Sequence, residues 1–238
     1  MPRFLVTAGN TREKIDAVRD WGNIFTGNTG FSIARALLPL GEVHLLTSNA
    51  AHREEAAALG MTADGFTSHA ELDDALSAIV PSGDFDAIFM TAAVADYAPA
   101  GAFALIEQRP MPDGTEQWIV RNVSAGKVKS SHPAVAFLGR PTTKLIDRFR
   151  RDWNYRRLLV KFKLEVGLTP EQLLAVGRAS RIASDADYLI ANTLDMVTGE
   201  SAGAFLISPT EETWIPRAQL ASRCAAIVTD YLSANGSA

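Results

Sequence analysis

Glycine, asparagine and threonine residues cluster in two segments near the amino terminus, and these residue types are suited to binding phosphate. The first segment, Gly9–Arg12, follows a short apolar run, and the second, Asn23–Gly30, precedes an apolar-periodic stretch. Glycines let backbone N–H groups approach a phosphate closely, and a helix amino terminus adds positive potential. The spacing of Gly9, Gly27 and Gly30 matches neither the P-loop nor the dinucleotide-binding glycine motif. The pattern predicts either an anion-binding loop or a tight strand–helix turn whose glycines serve geometry alone.

Further polar clusters follow other predicted strands. Ala92–Tyr97 follows an apolar run, a turn over Phe162–Glu165 ends a later run, and Asn192 ends another. Ligands of open α/β sheets bind at the carboxyl ends of the parallel strands. We therefore expect these clusters to converge with Gly9–Arg12 in one site.

Taken one at a time, the polar residues leave structural and functional roles open. Asn23 is a typical turn residue, and Asp96 suits either a helix cap or a site at a strand end. Lys127 alone would be a solvated charge. Arg12 and Arg19 are candidates either for surface ion pairs or for bidentate binding of a phosphate.

The elements that must position these residues alternate between strand and helix over the first hundred residues. Such alternation indicates strand–helix–strand units, a parallel sheet and right-handed crossovers. The fold class that we predict is α/β, a mostly parallel sheet with helices on both faces. The predicted strands cover 3–7, 42–47, 66–67 and 86–91, and the predicted helices cover 33–40, 51–59 and 71–79.

The alternation breaks in the middle of the chain. Apolar stretches over 102–108 and 116–121 flank a Pro/Asp-Gly turn, which predicts an inserted β-hairpin. The alternation then resumes, and Thr169, Pro170 and Gln172 predict a helix start with a capping box. Since no repeat or linker is evident, we predict one domain over 1–238 with a flap over about 98–135. The remaining predicted strands cover 134–138, 158–162, 187–191, 204–208 and 212–215, and the remaining helices cover 143–153, 170–183 and 217–232.

Composition excludes several classes of function. The 238 residues are 47% hydrophobic and 21% charged with a net charge of −4, which is the profile of a soluble globular protein. Without a basic run, nucleic acid is not an expected partner. No apolar run approaches the ~18 residues of a membrane span and no signal peptide is expected, so we predict a cytoplasmic protein without membrane contact. The single cysteine, Cys224, and the scattered histidines exclude a disulfide framework and predict no metal-ligating cluster.

The motifs, in this order, resemble phosphopantothenate–cysteine ligase, the synthetase half of the bacterial bifunctional coenzyme A biosynthesis flavoprotein. The resemblance covers nearly the whole chain. Thr7–Glu13 corresponds to the family motif T-A-G-x-T-R-E, and Asn23–Ala34 corresponds to N-x-S-S-G-K-M-G-F-A-I-A. Ala92–Tyr97 is the motif A-A-V-A-D-Y without change, and Lys127–Lys129 corresponds to K-I-K. Lys161–Glu165 corresponds to G-F-x-x-E, and the stretch ending at Asn192 corresponds to L-I-x-A-N.

The resemblance implies a dimeric Rossmann-like domain that makes an amide in two steps. The carboxylate of 4′-phosphopantothenate attacks the α-phosphate of CTP, or of ATP in the animal enzymes, and pyrophosphate leaves. The amine of cysteine then displaces CMP from the acyl-nucleotide. Such chemistry needs charge neutralisation by lysine, Mg²⁺ and backbone donors rather than a protein nucleophile. The resemblance therefore implies Mg²⁺ and a nucleoside triphosphate as the required small molecules.

The resemblance also assigns roles to residues by position. Asn23 matches an active-site asparagine that orients the acyl-nucleotide, and Lys127 matches a catalytic lysine suited to the α-phosphate. Asp96 matches an aspartate that contacts the nucleotide. The other expected nucleotide-binding residues are Gly9, Thr11, Gly27, Gly30, Ala92, Ala93 and Phe162. The expected substrate-binding residues are Arg12, Arg19 and Asn192.

Three departures from the family pattern keep other functions open. Asn28 replaces a family lysine, Ser180 and Ser184 align with two more, and the hairpin over 102–121 is extra. Arg178 and Arg181 are candidates to replace the missing lysines, although their guanidinium groups would lie at different distances from a ligand. We therefore expect a stand-alone, divergent ligase without the flavin-binding domain. The alternatives are a paralogue that joins another acid and amine and a catalytically silent nucleotide-binding subunit, with an NAD(P)-dependent oxidoreductase disfavoured by the missing glycine motif.

Overall fold

The computed structural model describes residues 1–199 and 202–235 of the chain. Its strands are β1 (Arg3–Ala8), β2 (Arg12–Lys14), β3 (Asp20–Gly22), β4 (Glu42–Thr47), β5 (Thr62–Gly65), β6 (Ala87–Met90), β7 (Tyr97–Pro110), β8 (Glu116–Asn122), β9 (Val135–Pro141), β10 (Leu158–Glu165), β11 (Tyr188–Thr193), β12 (Gly203–Ile207) and β13 (Glu212–Pro216). Its α-helices are α1 (Asn28–Leu37), α2 (Ala50–Ala58), α3 (His69–Ile79), α4 (Leu145–Arg151), α5 (Pro170–Ala183) and α6 (Arg217–Asn235), with 3-10 turns at Leu38–Leu40 and Leu194–Met196.

Eight strands form the main sheet in the order β13-β12-β11-β10-β6-β1-β4-β5. The pairs from β10–β11 through to β4–β5 are parallel, and only the pairs β11–β12 and β12–β13 are antiparallel. The predicted α/β class with a mostly parallel sheet is therefore confirmed. The terminal hairpin that the sequence predicted supplies the antiparallel edge.

Helices cover both faces of this sheet, which explains why β1 is an unbroken apolar run. Phe4 and Val6 lie in a core with residues of α1 and α6, while Leu5 packs on the opposite face with residues of α3 and α4. All three side chains are fully buried. A strand buried on both faces needs apolar residues at every position rather than at alternate ones.

The inserted flap is a separate three-stranded sheet in the order β8-β7-β9, over residues 97–141. The predicted hairpin is present but longer, because β7 begins at Tyr97 and extends to Pro110. The strand predicted over 134–138 does not join the main sheet. It forms part of β9 and pairs antiparallel with β7.

Several element boundaries differ from the predictions. Helix α1 begins at Asn28 instead of 33, because Gly27 precedes it in a left-handed conformation without a side-chain cap. The strand predicted over 66–67 lies at Thr62–Gly65, and α4 is shorter than the predicted helix over 143–153. The capping box of Thr169 and Gln172 is confirmed. The charged stretch after Thr11, for which no element was predicted, forms the β2–β3 hairpin.

Cys224 is fully buried in the core beneath α6, and burial raises the pKa of its thiol to about 12. Such a thiol packs as a small apolar group and is a poor nucleophile. Of the helices in the described residues, none is both long and apolar enough to cross a bilayer.

Candidate active site

A cavity of about 340 Å³ opens where β1, β6, β10 and β11 end, beside the amino terminus of α1. This is the edge of a parallel sheet at which ligands bind in open α/β folds. Seven residues that were predicted to bind the nucleotide or a substrate border this cavity. They are Gly9, Gly27, Gly30, Ala92, Ala93, Phe162 and Asn192.

The glycines allow the loop after β1 to lie directly against the start of α1. Gly27 has a φ of +89°, and a Cβ atom there would collide with the backbone nitrogen of Gly9. At Gly30 a Cβ atom would collide with the hydroxyl of Thr91 at the end of β6. Both glycines are therefore required for backbone packing, whatever their role in ligand binding.

The amino terminus of α1 has neither a side-chain cap nor an acidic residue in its first turn. Asn28, Thr29 and Gly30 of that turn border the cavity. No protein side chain therefore competes with a ligand for the backbone N–H groups of the first turn. An anion is the ligand that such an arrangement favours.

The loops after β1 and β6 are joined by hydrogen bonds around Ala93. Its N–H donates to the carbonyl of Gly9 (2.9 Å), and its carbonyl accepts from the N–H of Thr11 (3.1 Å) and from Nδ2 of Asn23 (3.1 Å). The buried hydroxyl of Thr11 accepts from the N–H of Ala95 (2.8 Å). Neither Thr11 nor Asn23 borders the cavity itself. Both lie at its rim, because both donate to the carbonyl of Ala93, which does border it.

Besides Thr11 and Asn23, four of the predicted site residues do not border the cavity. Asp96 is exposed, and its carbonyl accepts from the N–H of Thr142 (2.9 Å). Lys127 is an exposed residue of the loop between β8 and β9, and Arg12 is exposed on β2. The guanidinium of Arg19 is paired with Asp16 and donates to the carbonyl of Val128. The roles predicted for these four residues remain predictions.

Two cations that the sequence analysis did not single out border the cavity, Lys163 and Arg217. Lys163 forms an ion pair with Glu165 (2.8 Å). Arg217, at the start of α6, donates to the carbonyl of Val197 and has no carboxylate partner within the described part of the chain. It also borders a smaller cavity of about 70 Å³ together with Asn28 and Thr29. No local pattern marks Arg217, because only the packing of α6 against α1 brings it to the site.

The serines at two of the family's lysine positions bind a lysine from the neighbouring strand. Nζ of Lys161 lies 3.0 Å from the hydroxyl of Ser180 and 3.0 Å from that of Ser184, and it donates to the carbonyl of Ser180 (3.1 Å). Lys161 is 8% exposed, and burial lowers its pKa to about 8. The ammonium group of Lys161 therefore lies between β10 and α5, but its side chain belongs to the strand, whereas the family's lysines belong to the helix.

The arginines considered as replacements for those lysines are engaged elsewhere. Arg178 donates to both carboxylate oxygens of Glu212 (2.7 and 2.9 Å), and Arg181 donates to the carbonyl of Ala186 (2.9 Å). Across residues 1–199 and 202–235, no group of three or more His, Cys, Asp or Glu residues is arranged to hold a metal ion.

Comparisons with known proteins find similarity to proteins of coenzyme A biosynthesis. Residues 2–105 match the family described as DNA/pantothenate metabolism flavoprotein C-terminal domain. The coenzyme A biosynthesis bifunctional protein CoaBC of Thermococcus kodakarensis is 28% identical over 216 residues, which are 90% of this chain and 47% of that protein. CoaBC of Mycolicibacterium smegmatis is 38% identical over 131 residues, 54% of this chain and 31% of that protein. The chain thus spans less than half of the length of these relatives.

Solved structures show the same fold. The DNA/pantothenate metabolism flavoprotein from Streptococcus pneumoniae aligns with a TM-score of 0.77 at 23% identity, covering 97% of this chain and all of the other. A Cab2 mutant in complex with phosphopantothenate-cysteine aligns with a TM-score of 0.69 at 16% identity, covering 99% of this chain and 89% of the other. The C-terminal domain of CoaBC aligns with a TM-score of 0.64 at 20% identity, covering 96% and 93%. These matches confirm the predicted Rossmann-like α/β fold.

Proposed function

We propose that this chain, whose motifs and fold are those of the CoaBC synthetase domain, is a phosphopantothenate–cysteine ligase of coenzyme A biosynthesis. One observation carries the proposal. Seven residues that the resemblance assigns to nucleotide or substrate binding border a single cavity at the carboxyl ends of the parallel strands. Gly27 and Gly30 also serve backbone packing, so the proposal depends on Gly9, Ala92, Ala93, Phe162 and Asn192 bordering the same cavity.

In the proposed reaction the carboxylate of 4′-phosphopantothenate attacks the α-phosphorus of a nucleoside triphosphate. A new acyl–phosphate bond forms, the bond to pyrophosphate breaks, and an acyl-nucleotide results. The amine of cysteine then attacks the acyl carbon, the nucleoside monophosphate leaves with the electron pair of the broken C–O bond, and the amine proton passes to water. Both steps develop negative charge on phosphate oxygens, which positioned N–H groups and cations stabilise.

The residues of this chain have distinct tasks in that scheme. The glycine-rich loops and the first turn of α1 bind the phosphates through backbone N–H groups. Asn23, held by Ala93, uses its remaining amide N–H to orient the acyl-nucleotide. Lys127 neutralises the α-phosphate, and Phe162 lies beside the nucleotide.

Magnesium has no ready-made protein site among residues 1–199 and 202–235. The described residues contain no cluster of three acidic, His or Cys side chains. Any Mg²⁺ required by the reaction therefore has to take its ligands mainly from the phosphate oxygens of the nucleotide, as is common for this ion. The proposal includes CTP or ATP as the co-substrate, and a cytoplasmic location.

We also propose that the protein is a homodimer that associates through the flap. The strand register places Trp118 and Val120 of β8 and Leu138 of β9 on one face of the three-stranded sheet. These side chains are exposed, with Trp118 at 52% and Leu138 at 45%. A contiguous exposed apolar face on a small sheet is typical of a surface that another chain covers.

A second function is favoured by the altered charges near the cavity. The family's lysines at positions 28, 180 and 184 are Asn28, Ser180 and Ser184, and the neighbouring arginines are paired elsewhere. A paralogue that joins a different acid and amine, or a nucleotide-binding subunit without turnover, would fit these changes. Both alternatives retain the cavity. The paralogue would form a different amide, and the nucleotide-binding subunit would form no product.

Pyrophosphate release separates these functions. Purified protein is incubated with 4′-phosphopantothenate, cysteine, Mg²⁺ and either CTP or ATP, and the amide product is identified by mass spectrometry. We expect pyrophosphate and the amide in equal amounts with at least one nucleotide, and no release when the acid is omitted. Release with other acids alone would establish the paralogue. Nucleotide binding without release under any condition would establish the silent subunit and overturn the proposal.

A further inference from the structure

The turn between β2 and β3 contacts the loop that carries Lys127, more than 100 residues away in sequence. The carboxylate of Asp16 is fully buried and accepts the N–H groups of Val18 (2.9 Å), Arg19 (3.0 Å) and Val128 (3.0 Å). The bond to Val128 spans 112 positions. A buried carboxylate needs such donors, because an uncompensated charge away from water is strongly unfavourable.

Arg19 completes the contact from the same turn. Its Nε lies 3.0 Å from Asp16 Oδ2, and a terminal nitrogen pairs with the same oxygen and donates to the carbonyl of Val128 (2.8 Å). Hydrogen bonds from Arg19 and from the backbone hold the pKa of the Asp16 carboxyl well below its ordinary value. Asp16 is therefore ionised at every pH at which the protein is expected to work.

Both neighbours of Lys127 are bound by this turn. The N–H of Ala17 donates to the carbonyl of Gly126 (2.9 Å), and Val128 is bound at both its N–H and its carbonyl. The side chain of Val128 is only 3% exposed and anchors the segment, whereas Lys127 itself stays exposed. The backbone at Lys127 is thus fixed on both sides while its side chain is free to reach a ligand.

The other end of the same hairpin lies at the rim of the cavity. Arg12 pairs with Gly22 at its base, directly next to Thr11 and Asn23, which both bind the carbonyl of Ala93. Midway along it, the buried Glu13 accepts the N–H of His69 at the start of α3 (2.7 Å). The hairpin therefore connects the cavity rim to the Lys127 loop and is itself fixed to the main domain.

We propose that Asp16 and Arg19 are positioning residues that fix Lys127 relative to Asn23. This inference rests on the proposed function, since Lys127 needs a substrate on which to act. It also gives Arg19 a different task from the one that the sequence suggested. The guanidinium of Arg19 is used to bind Val128 and Asp16 instead of a substrate phosphate. In this proposal the β2–β3 hairpin sets the distance between Asn23 and Lys127.

The test compares Asp16→Asn and Arg19→Lys with Asp20→Asn. Asp20 lies in the same hairpin and pairs only with Lys14 (2.9 Å), so its variant makes the same chemical change without touching the Lys127 loop. The first measurement is amide hydrogen exchange of peptides that cover residues 123–131. We expect exchange there to become at least about tenfold faster in Asp16→Asn and Arg19→Lys, because a hydrogen bond to a charged group is lost, and to stay unchanged in Asp20→Asn.

The second measurement is the kinetics of pyrophosphate release. We expect kcat to fall by about tenfold to a hundredfold in Asp16→Asn and Arg19→Lys, as for a misplaced catalytic group, while the KM for the nucleotide changes by less than about twofold. Unchanged exchange, or faster exchange with an unchanged kcat, would overturn the inference. A wild-type protein that releases no pyrophosphate would refute the proposed function instead, and the exchange measurement would still decide whether the turn holds the loop. Circular dichroism identifies any variant that fails to fold, for which the other variant then decides.

Discussion

Nδ2 of Asn23 donates to the carbonyl of Ala93 at 3.1 Å and so ties the loop before α1 to the loop after β6. The two residues are 70 positions apart. A carboxylate cannot replace this donor, because it would oppose its own negative charge to the carbonyl oxygen. This hydrogen bond therefore requires a side-chain N–H donor at position 23.

We expect Asn23→Asp to let the acyl-nucleotide accumulate. The variant loses the bond to Ala93 and the remaining amide donor, and it adds a negative charge next to an anionic intermediate, so the cysteine step should slow more than the activation step. Rapid quenching and chromatography should detect the acyl-nucleotide in the variant and not in the wild type. Asn154→Asp is the control, since Asn154 is exposed, lies outside the cavity lining and uses its side-chain oxygen as an acceptor from Nε of Arg156, which a carboxylate preserves. Equal rates of both steps in Asn23→Asp would contradict the role of Asn23.

Lys127→Gln should block formation of the acyl-nucleotide. The change removes the cation that we assign to the α-phosphate, and we expect pyrophosphate release to fall by at least about a hundredfold, the scale observed when one electrostatic stabiliser of a transition state is removed. Nucleotide binding, followed by thermal shift, should persist because the backbone N–H groups near Gly9 and Gly27 are unchanged. Lys129→Gln serves as the matched control in the same loop. A variant Lys127→Gln with wild-type kcat would end the proposed mechanism.

Arg217→Gln should weaken the binding of a triphosphate more than that of a monophosphate. Arg217 borders the cavity next to the first turn of α1, where Asn28 leaves no positive side chain. We expect the Kd for CTP or ATP to rise by about tenfold, the loss expected for a charged hydrogen bond, with little change for CMP or AMP. Isothermal titration calorimetry measures both. Arg223→Gln is the control, since Arg223 lies on the same helix but pairs with Glu211 (2.9 Å). Equal losses for both nucleotides would place Arg217 outside the phosphate region.

Trp118→Glu should shift the protein from dimer to monomer. Glutamate would place a charge on the exposed apolar face of the flap, and burying that charge without a partner would be costly. Sedimentation velocity over a range of concentrations gives the oligomeric state. Gln117→Glu makes a comparable change on the adjacent position of β8, which faces the other side of the sheet. A wild-type protein that stays monomeric at high concentration would refute the proposed dimer.

The sequence predicts those elements whose signals are local. The unbroken apolar run of β1 identifies a strand buried on both faces, and Thr169, Pro170 and Gln172 identify the start of α5 residue by residue. The start of α1 was placed too late because Gly27 supplies no capping side chain. Glycine is required there because Gly27 has a positive φ and lies directly against the backbone of Gly9 after β1. This contact forms only in the folded chain, so the sequence alone does not indicate it.

Features that depend on distant contacts could not be predicted in the same way. The β2–β3 hairpin is charged, and its conformation depends on the bonds of Asp16 to Val128 and of Glu13 to His69. Seven of the predicted site residues border the cavity, since each lies in the carboxyl-terminal half of a parallel strand, directly after such a strand, or at the start of α1. Arg217 was missed because α6 brings it to the site from the far end of the chain.

Lys161 should make the stability of the protein depend on pH above neutrality. Burial lowers its pKa to about 8 in the folded chain, whereas an unfolded lysine titrates near about 10.4. Between these two values the unfolded chain binds more protons than the folded chain, so the free energy of unfolding rises as the pH increases from about 8 to about 10. Below about pH 8 lysine is protonated in both states, and the cost of burying its charge is present in full.

Lys161→Met removes this dependence and fills a similar volume. We expect the wild type to gain about 2 kcal/mol relative to Lys161→Met between pH 7 and pH 10, the value that follows from linkage between the two pKa values. Urea unfolding at each pH measures the difference, and other lysines and tyrosines cancel in the comparison. Lys14→Met, at an exposed position of β2, should remain parallel to the wild type across this range. Parallel curves for wild type and Lys161→Met would mean that Ser180 and Ser184 hold the ammonium group without lowering its pKa.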